Sequence, residues 1–341
     1  KEWIQILKPI WLSNPSQLAK CFPLQRELFD VCIFDEASQI PIQNALGALQ
    51  RSTRVIVAGD EHQMGPTRYF KSGSNEEVDL LHQANYYWKK ASLSHHYRSS
   101  HPDLIKFSNK HFYNNKLIAY PSYPSLCPMI FHYASDGKFI DRKNHQEAQL
   151  AAKHISNALH TYKDVGIVAF SEEQLSCIWS LLSAKDQDTI TNRSSENLGF
   201  FKSIENVQGD ECDHLIISFG YGKNQDDEFH MRFGPMNTEN GRKRLNVLLT
   251  RARKSIEFIA SVKSTDFKLT DNESVHLIQQ WFHFIEQYED SKKLNFPSHL
   301  ETIVENENLT LKFNTHSNIR AREIVTTQSV LTDRGWNINY L

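Results

Sequence analysis

The chain has 341 residues, 40% of them hydrophobic and 11% aromatic, enough for about two packed domains. A formal net charge of −2 excludes a globally basic nucleic-acid binder, so any phosphate-binding surface must be local. No run approaches the roughly 18 apolar residues of a membrane span, which predicts no membrane partner. Five scattered Cys with no C-x-x-C pair argue against a disulfide or zinc framework and for reduced thiols in the cytoplasm.

The sequence opens at Lys1 with no initiator Met and no signal-peptide pattern, and reads as a piece of a longer protein. Short apolar runs predict strands over Phe29–Phe34, Arg54–Ala58, Met129–Ala134, Val165–Phe170, Lys202–Glu205, His214–Ser218 and Ile256–Ser261. Between them, helical patterns cover Ile42–Leu49, Pro102–Phe112, Asn144–Leu159, Glu172–Leu182 and Arg242–Arg253. Strand–helix alternation with continuous β-branched runs predicts an α/β fold of parallel, doubly covered sheets. Asn114–Pro128 reads as an extended surface connection. Beyond Lys263 the chain turns polar and mostly helical to about Tyr288, and Glu301–Thr315 then alternates loosely. Ile324, Val330, Leu331 and Trp336 recur at helix-like spacing, as at the start of another domain.

Five segments carry chemistry. The run Val31–Phe34 leads into Asp35-Glu36-Ala37-Ser38-Gln39. A buried strand ending in Asp-Glu presents a magnesium carboxylate, Asp35, and a general base for water, Glu36. No G-x-x-x-x-G-K-[ST] phosphate loop accompanies it anywhere in the chain. The second segment, Val55–Ala58 followed by Gly59-Asp60-Glu61-His62-Gln63, is another strand ending in a polar turn. In a parallel sheet the two tips fall side by side, and Gln63 is a neutral contact for a terminal phosphate or its attacking water; an ordinary Gly-Asp turn reads the same way. The third, Leu93–Pro102, contains Tyr97, able to stack on a base, and Arg98, able to reach a phosphate. A surface salt bridge for Arg98 and a half-buried edge for Tyr97 are the plainer alternatives. His95, His96 and His101 read as local hydrogen-bonding residues, since metal-ligand spacing is absent. The fourth, Ser203–Ser218, sets Gly209 and Glu211 in a polar turn between two strands. Glu211 is a candidate acceptor for a ribose hydroxyl, and Ser203 and the Gly209 backbone are candidates for nucleic-acid phosphates. The fifth, Arg242–Lys254, flanks the apolar stripe Leu245, Leu248 and Leu249 with six cations and no acid. It reads either as a solvated face or as a phosphate-facing helix.

In order, Asp-Glu-Ala-Ser-Gln, Gly-Asp-x-x-Gln, Tyr-Arg-Ser-Ser-His-Pro, Val-Gln-Gly-Asp-Glu-x-Asp and Arg-Leu-Asn-Val-x-Leu-Thr-Arg-Ala-Arg resemble motifs II to VI of superfamily 1 helicases. The likeness is greatest to the branch holding the nonsense-mediated-decay helicase and its bacterial relatives, which has Gln in Asp-Glu-x-x-Gln, and it covers about residues 28–262. The resemblance implies two RecA-like domains with ATP and Mg²⁺ in the cleft between them. By motif position, Asp35 holds Mg²⁺, Glu36 is the catalytic base, and Gln39 and Gln63 sense the γ-phosphate. Arg98 and Arg251 act as arginine fingers, Glu211 binds the sugar, and Gly59, Asp60, Tyr97 and Gly209 border the nucleotide. Ser203, Gln208, Arg244 and Asn246 contact a single strand of DNA or RNA. The family's phosphate loop falls before residue 1. Residues 1–88 therefore resemble the later part of the first RecA-like domain and 89–266 a complete second one. Residues 267–341 form a helical extension and the start of a truncated domain. The expectation is a helicase or translocase motor, nearly inactive on ATP by itself and missing the first half of its first domain, in cis or in trans. A non-catalytic binding module that keeps the fold, or one half of a split ATPase, are the alternatives.

Overall fold

The structure, a computed structural model, describes residues 6–65, 78–120 and 128–294. Pro66, most of the 114–128 connection, the 301–315 alternation and the pattern of Ile324, Val330, Leu331 and Trp336 lie outside the described residues. The chain divides into two units between Leu93 and Ser94.

The first unit runs α1 (Pro15–Cys21), β1 (Phe29–Phe34), α2 (Ile42–Gln50), β2 (Ser52–Val57) and α3 (Leu80–Tyr87). β1 and β2 pair in parallel, with Phe34 opposite Val57. Period-two alternation sends Cys32 and Phe34 to one face, where they meet Ala45 and Ala48 of α2 and Leu80 and Leu81 of α3. On the other face Val31, Ile33 and Ile56 are 41%, 65% and 53% exposed, so this sheet is covered on one side, not two. The described residues supply helices to that side alone. Arg51, buried at the end of α2, donates to the carbonyls of Phe22, Pro23 and Gly47 and ties the segment before β1 to the helix.

The second unit begins with β3 (His95–His96), α4 (Pro102–Phe112) and β4 (Ile118–Ala119), the two short strands pairing in parallel. There follow β5 (Met129–Tyr133), an antiparallel ribbon of β6 (Phe139–Ile140) and β7 (Lys143–Asn144), and α5 (His145–Thr161). Next come β8 (Val165–Ala169), α6 (Glu172–Leu181), α7 (Ala184–Ser195), β9 (Gly199–Ser203) and β10 (Cys212–Ser218). The unit closes with α8 (Gly241–Leu249), β11 (Ala252–Ala260) and α9 (Glu273–Leu294). Five strands make one parallel sheet in the order β5-β11-β10-β8-β9. Both faces are covered, the α/β arrangement that the alternation predicts and the RecA-like one that the resemblance implies. One face takes α5, α6 and α7 through Ala148, Ala151, Ile155, Leu175, Ile178 and Ile190. The other is aromatic: Phe219, Phe258, Trp281 and Phe282 are fully buried, with Phe282 of α9 5.0 Å from Phe219 and 5.1 Å from Phe258. No helix among the described residues is long and apolar enough to cross a membrane.

Two stretches depart most from expectation. The helix predicted over 242–253 ends at Leu249, where Thr250 caps it and its hydroxyl donates to the carbonyls of Asn246 and Val247. Residues 252–254, built of good helix formers, are strand instead, because Ala252 pairs with Cys212. The strand predicted over 202–205 lies at 199–203 and gives way to a helical turn at Ile204–Asn206.

At the start of α5, Glu147 is fully buried and accepts from Ser218 Oγ and Gly220 N, both at 2.7 Å. Burial pushes its carboxyl from the ordinary 4.5 up to about 8, against the hydrogen bonds that favour the charged form. The folded state thus binds a proton that the unfolded state releases above about 4.5. Stability is full below that pH and falls as pH rises towards 8. A tenfold difference in proton affinity is worth about 1.4 kcal/mol, so the loss is several kcal/mol. Chemical denaturation across pH 5–8.5 should show this decline in wild type, and Glu147→Gln should flatten it.

Candidate active site

The first unit gathers its candidate residues at the carboxyl ends of β1 and β2. Parallel pairing carries Asp35-Glu36 and Gly59-Asp60 off neighbouring strands, and Ala37 N donates to Ala58 O (2.9 Å) while Ala58 N donates to Phe34 O (2.8 Å). The two turns touch at Gly59, where a Cβ would sit 3.1 Å from Ala37 N and 3.2 Å from Ser38 N, so close that the facing backbone would have to give by a few tenths of an ångström. Glu36 adopts the left-handed conformation (φ 50°, ψ 40°), uncommon for any residue but glycine and recurrent where function holds a backbone in place. That turn points two carboxylates to solvent. Asp35 Oδ1 accepts from Glu36 N at 2.9 Å, and Gln39 Nε2 donates to Glu36 Oε2 at 3.2 Å. Asp60 organises the second turn, accepting from His62 N (2.9 Å) and Gln63 Nε2 (3.3 Å). Gln63 Oε1 and Ser38 Oγ are buried with no hydrogen-bond partner among the described residues. Buried polar atoms rarely stay unpaired, and an acceptor and a hydroxyl left open in these two turns suit a bound water or phosphate. An exposed Asp35 with one oxygen committed to a backbone bond suits Mg²⁺, which takes one or two protein carboxylates and keeps its waters.

The second unit places Gly209, Glu211 and Arg251 just before the amino ends of its strands. A cavity of about 880 Å³ is lined by Asp164 before β8, Gly199 of β9, Gly209, Asp210 and Glu211 before β10, and Arg253 of β11. Gly209 has φ +88° and open space on its Cβ side. Ser100 N donates to Arg253 O at 2.6 Å, which fixes the loop carrying Tyr97 and Arg98 to the start of β11. Tyr97 is 87% exposed, free of the core edge that was its plainer reading. Glu211 pairs at once with Arg98 Nε (3.1 Å) and Arg253 Nη1 (3.1 Å). The salt bridge weighed for Arg98 therefore exists, and its partner is the acid proposed for the sugar.

The six cations of 242–254 are not an unbalanced patch. Arg253 also pairs with Asp164 and, at 2.8 Å, with Asp213; Lys254 meets Asp213 at 2.7 Å; Arg242 pairs with Glu273; and Arg244 lies 2.8 Å from Glu205. The acids come from distant segments, so the stretch read by itself overstates its charge. Arg251 is 3% exposed and donates to the carbonyls of Val247 (2.8 Å) and Asp210 (3.0 Å). The nucleic-acid candidates Ser203, Asn246 and Arg244 are likewise engaged. Ser203 is buried and donates to Glu172, Asn246 is buried and donates to Tyr113 Oη (3.0 Å), and Arg244 holds Glu205. Gln208 lies beside Gly209 on the partly exposed turn. Asp164 was missed, and Asp213 was read only as the last residue of the Val-Gln-Gly-Asp-Glu-x-Asp motif, with no role of its own. The signal for Asp164 is an acid one position before β8, at the sheet edge where Arg253 sits.

A family model described as an AAA domain matches residues 77–263, more than half of the chain. The chain belongs to this AAA-domain family, of superfamily 1 helicase type. An uncharacterized ATP-dependent helicase of Mycoplasma pneumoniae is 30% identical over 290 residues, 76% of this chain and 26% of its own. A counterpart in Mycoplasma genitalium is 30% identical over 295 residues, 78% of this chain and 26% of its own. The DNA replication ATP-dependent helicase/nuclease DNA2 of Gallus gallus is 25% identical over 280 residues, 76% of this chain and 26% of its own. The chain thus spans about a quarter of the length of these curated relatives. A solved PRRSV helicase covers 67% of this chain at 13% identity and a TM-score of 0.35, too loose a fit to argue from.

The two arginines on Glu211 should separate in stability measurements. The Arg98–Glu211 pair is 42% and 43% exposed, so Arg98→Ala should move the unfolding free energy by less than about 1 kcal/mol. Arg253→Ala takes the cation from buried Asp164 and one of two cations from each of Glu211 and Asp213, and should cost about 1–3 kcal/mol by urea denaturation.

Proposed function

We propose that the chain is the motor portion of an ATP-dependent nucleic-acid helicase or translocase, with ATP hydrolysis coupled to movement on single-stranded DNA or RNA. The observation that carries the reading is the junction at Gly59, which sets Asp35-Glu36 and Asp60-x-x-Gln63 on adjoining turns at one sheet edge. A carboxylate for Mg²⁺, a second for the attacking water and an amide beside them are what phosphoryl transfer to water requires. In this reading Asp35 holds the ion, and Glu36, steadied by Gln39, orients water and takes its proton. The open Gln63 Oε1 accepts from that water. Mg²⁺, when bound, neutralises phosphate charge. From the second unit, exposed Tyr97 stacks on the base, Glu211 accepts from the ribose and Gly209 lets the backbone approach. Arg98 leaves Glu211 for the transferring phosphate. Arg251 takes the finger role of its motif position by exchanging two carbonyls for phosphate oxygens. The scattered thiols support a reducing, cytoplasmic setting.

The triphosphate's main cradle, a glycine-rich loop with its Lys and Ser/Thr, is absent from the 341 residues. The uncovered face of the β1–β2 sheet, with Val31, Ile33 and Ile56 in the open, suits further elements of a RecA-like domain, in cis or in trans. A non-catalytic binding module is the second reading, favoured by the buried, carbonyl-bound guanidinium of Arg251.

A phosphate-release assay with single-stranded nucleic acid should find this chain at background. Fast turnover that disappears in Glu36→Gln would overturn the dependence on a separate phosphate loop. In a longer form that supplies the loop, Glu36→Gln and Arg98→Ala should each lower kcat about 10³-fold or more. No turnover in that longer form would leave the binding module, and unchanged turnover in both variants would overturn the roles proposed for Glu36 and Arg98.

A further inference from the structure

The second unit carries a histidine cluster that the nucleotide reading does not use. His132 of β5, His154 of α5 and Glu257 of β11 come from three elements far apart in sequence. Nε2 of His132 and Nδ1 of His154 each lie 2.8 Å from the same oxygen, Oε2 of Glu257, and the three atoms lie within 4.8 Å of one another. The imidazole rings stand 3.8 Å apart, centroid to centroid, so both nitrogen edges aim at one point. We infer that His132, His154 and Glu257 form a binding site for a divalent transition-metal ion of the zinc type.

The donor set decides the class of ion. Two imidazole nitrogens and one carboxylate oxygen suit Zn²⁺, Co²⁺ or Ni²⁺, whereas Mg²⁺ and Ca²⁺ take oxygens. Bonds of about 2.0–2.1 Å in a tetrahedral array set neighbouring ligand atoms about 3.3 Å apart, so each imidazole nitrogen has to move about half an ångström from the carboxylate oxygen. The remaining carboxylate oxygen is already positioned. Glu257 Oε1 lies 3.0 Å from His214 Nε2, whose Nδ1 lies 2.6 Å from Ser255 Oγ and whose ring stacks on Tyr162 at 4.3 Å. A partner of this kind fixes a ligating carboxylate and raises metal affinity. The three ligand side chains are 14–23% exposed, enough for an ion to enter and for water to fill a fourth position. None of the three lines the cavity that holds Gly209 and Glu211. The ion would instead pin the edge strand β5 and the helix α5 to β11, and the proposal stands apart from the ATP reading.

The test uses the full chain stripped with a chelator and titrated with Zn²⁺ by calorimetry and with Co²⁺ by visible absorption. One ion per chain and a Zn²⁺-dependent rise in Tm are expected, together with a loss of at least 100-fold in affinity for the double variant His132→Ala/His154→Ala. His214→Ala should weaken binding about 10–100-fold, while His276→Ala, outside the cluster, should leave it unchanged. Should the double variant not fold, X-ray absorption of the Zn²⁺-loaded wild type reads the ligands directly, and two imidazoles with oxygen are expected. Absence of stoichiometric binding, affinity that survives the double variant, or an absorption spectrum without imidazole scattering would each overturn the proposal.

Discussion

In a parallel sheet, the residue that follows each strand arrives at the same edge, however many residues separate the strands along the chain. Much else in this molecule depends on that geometry. It brings Asp35 and Asp60 onto adjoining turns, and at the opposite end of the larger sheet it brings Asp164, Gly199, Glu211 and Arg253 around one cavity. The helices hold this arrangement in place. They bury the larger sheet on both sides, and the aromatic layer of Phe219, Phe258 and Phe282 locks α9 to it.

The fold was largely legible because its strands are β-branched runs with turn residues after them. β1 lies where the pattern puts it, and α4 runs from Pro102 to Phe112 as its proline start requires. The helices that went unseen have little apolar periodicity to betray them. In α7 the only buried apolar residue is Ile190. The misread end of α8 shows tertiary pairing overriding local preference, since Ala-Arg-Lys favours helix until Ala252 is offered Cys212 as a partner.

The candidate site was legible to a lesser depth. Which residues stand at strand ends follows from pattern, and the structure places Asp35, Glu36, Gly59, Asp60, Gln63, Gly209 and Glu211 there. What each side chain holds does not follow. Arg253 takes acids from 40 to 89 positions away, and Ser203, Asn246 and Arg251 are drawn inward by partners on other elements. The same non-locality hid His132, His154 and Glu257, which no spacing rule connects.

The left-handed backbone of Glu36 sets stability against chemistry at a single residue. A side chain in that conformation costs about 1–2 kcal/mol relative to glycine, so the first unit would fold more readily with the carboxylate deleted. Any screen that rewards only thermal robustness would accept glycine at position 36 and discard the proposed base. On the proposed reading, the turn keeps a carboxylate that its backbone alone would not favour.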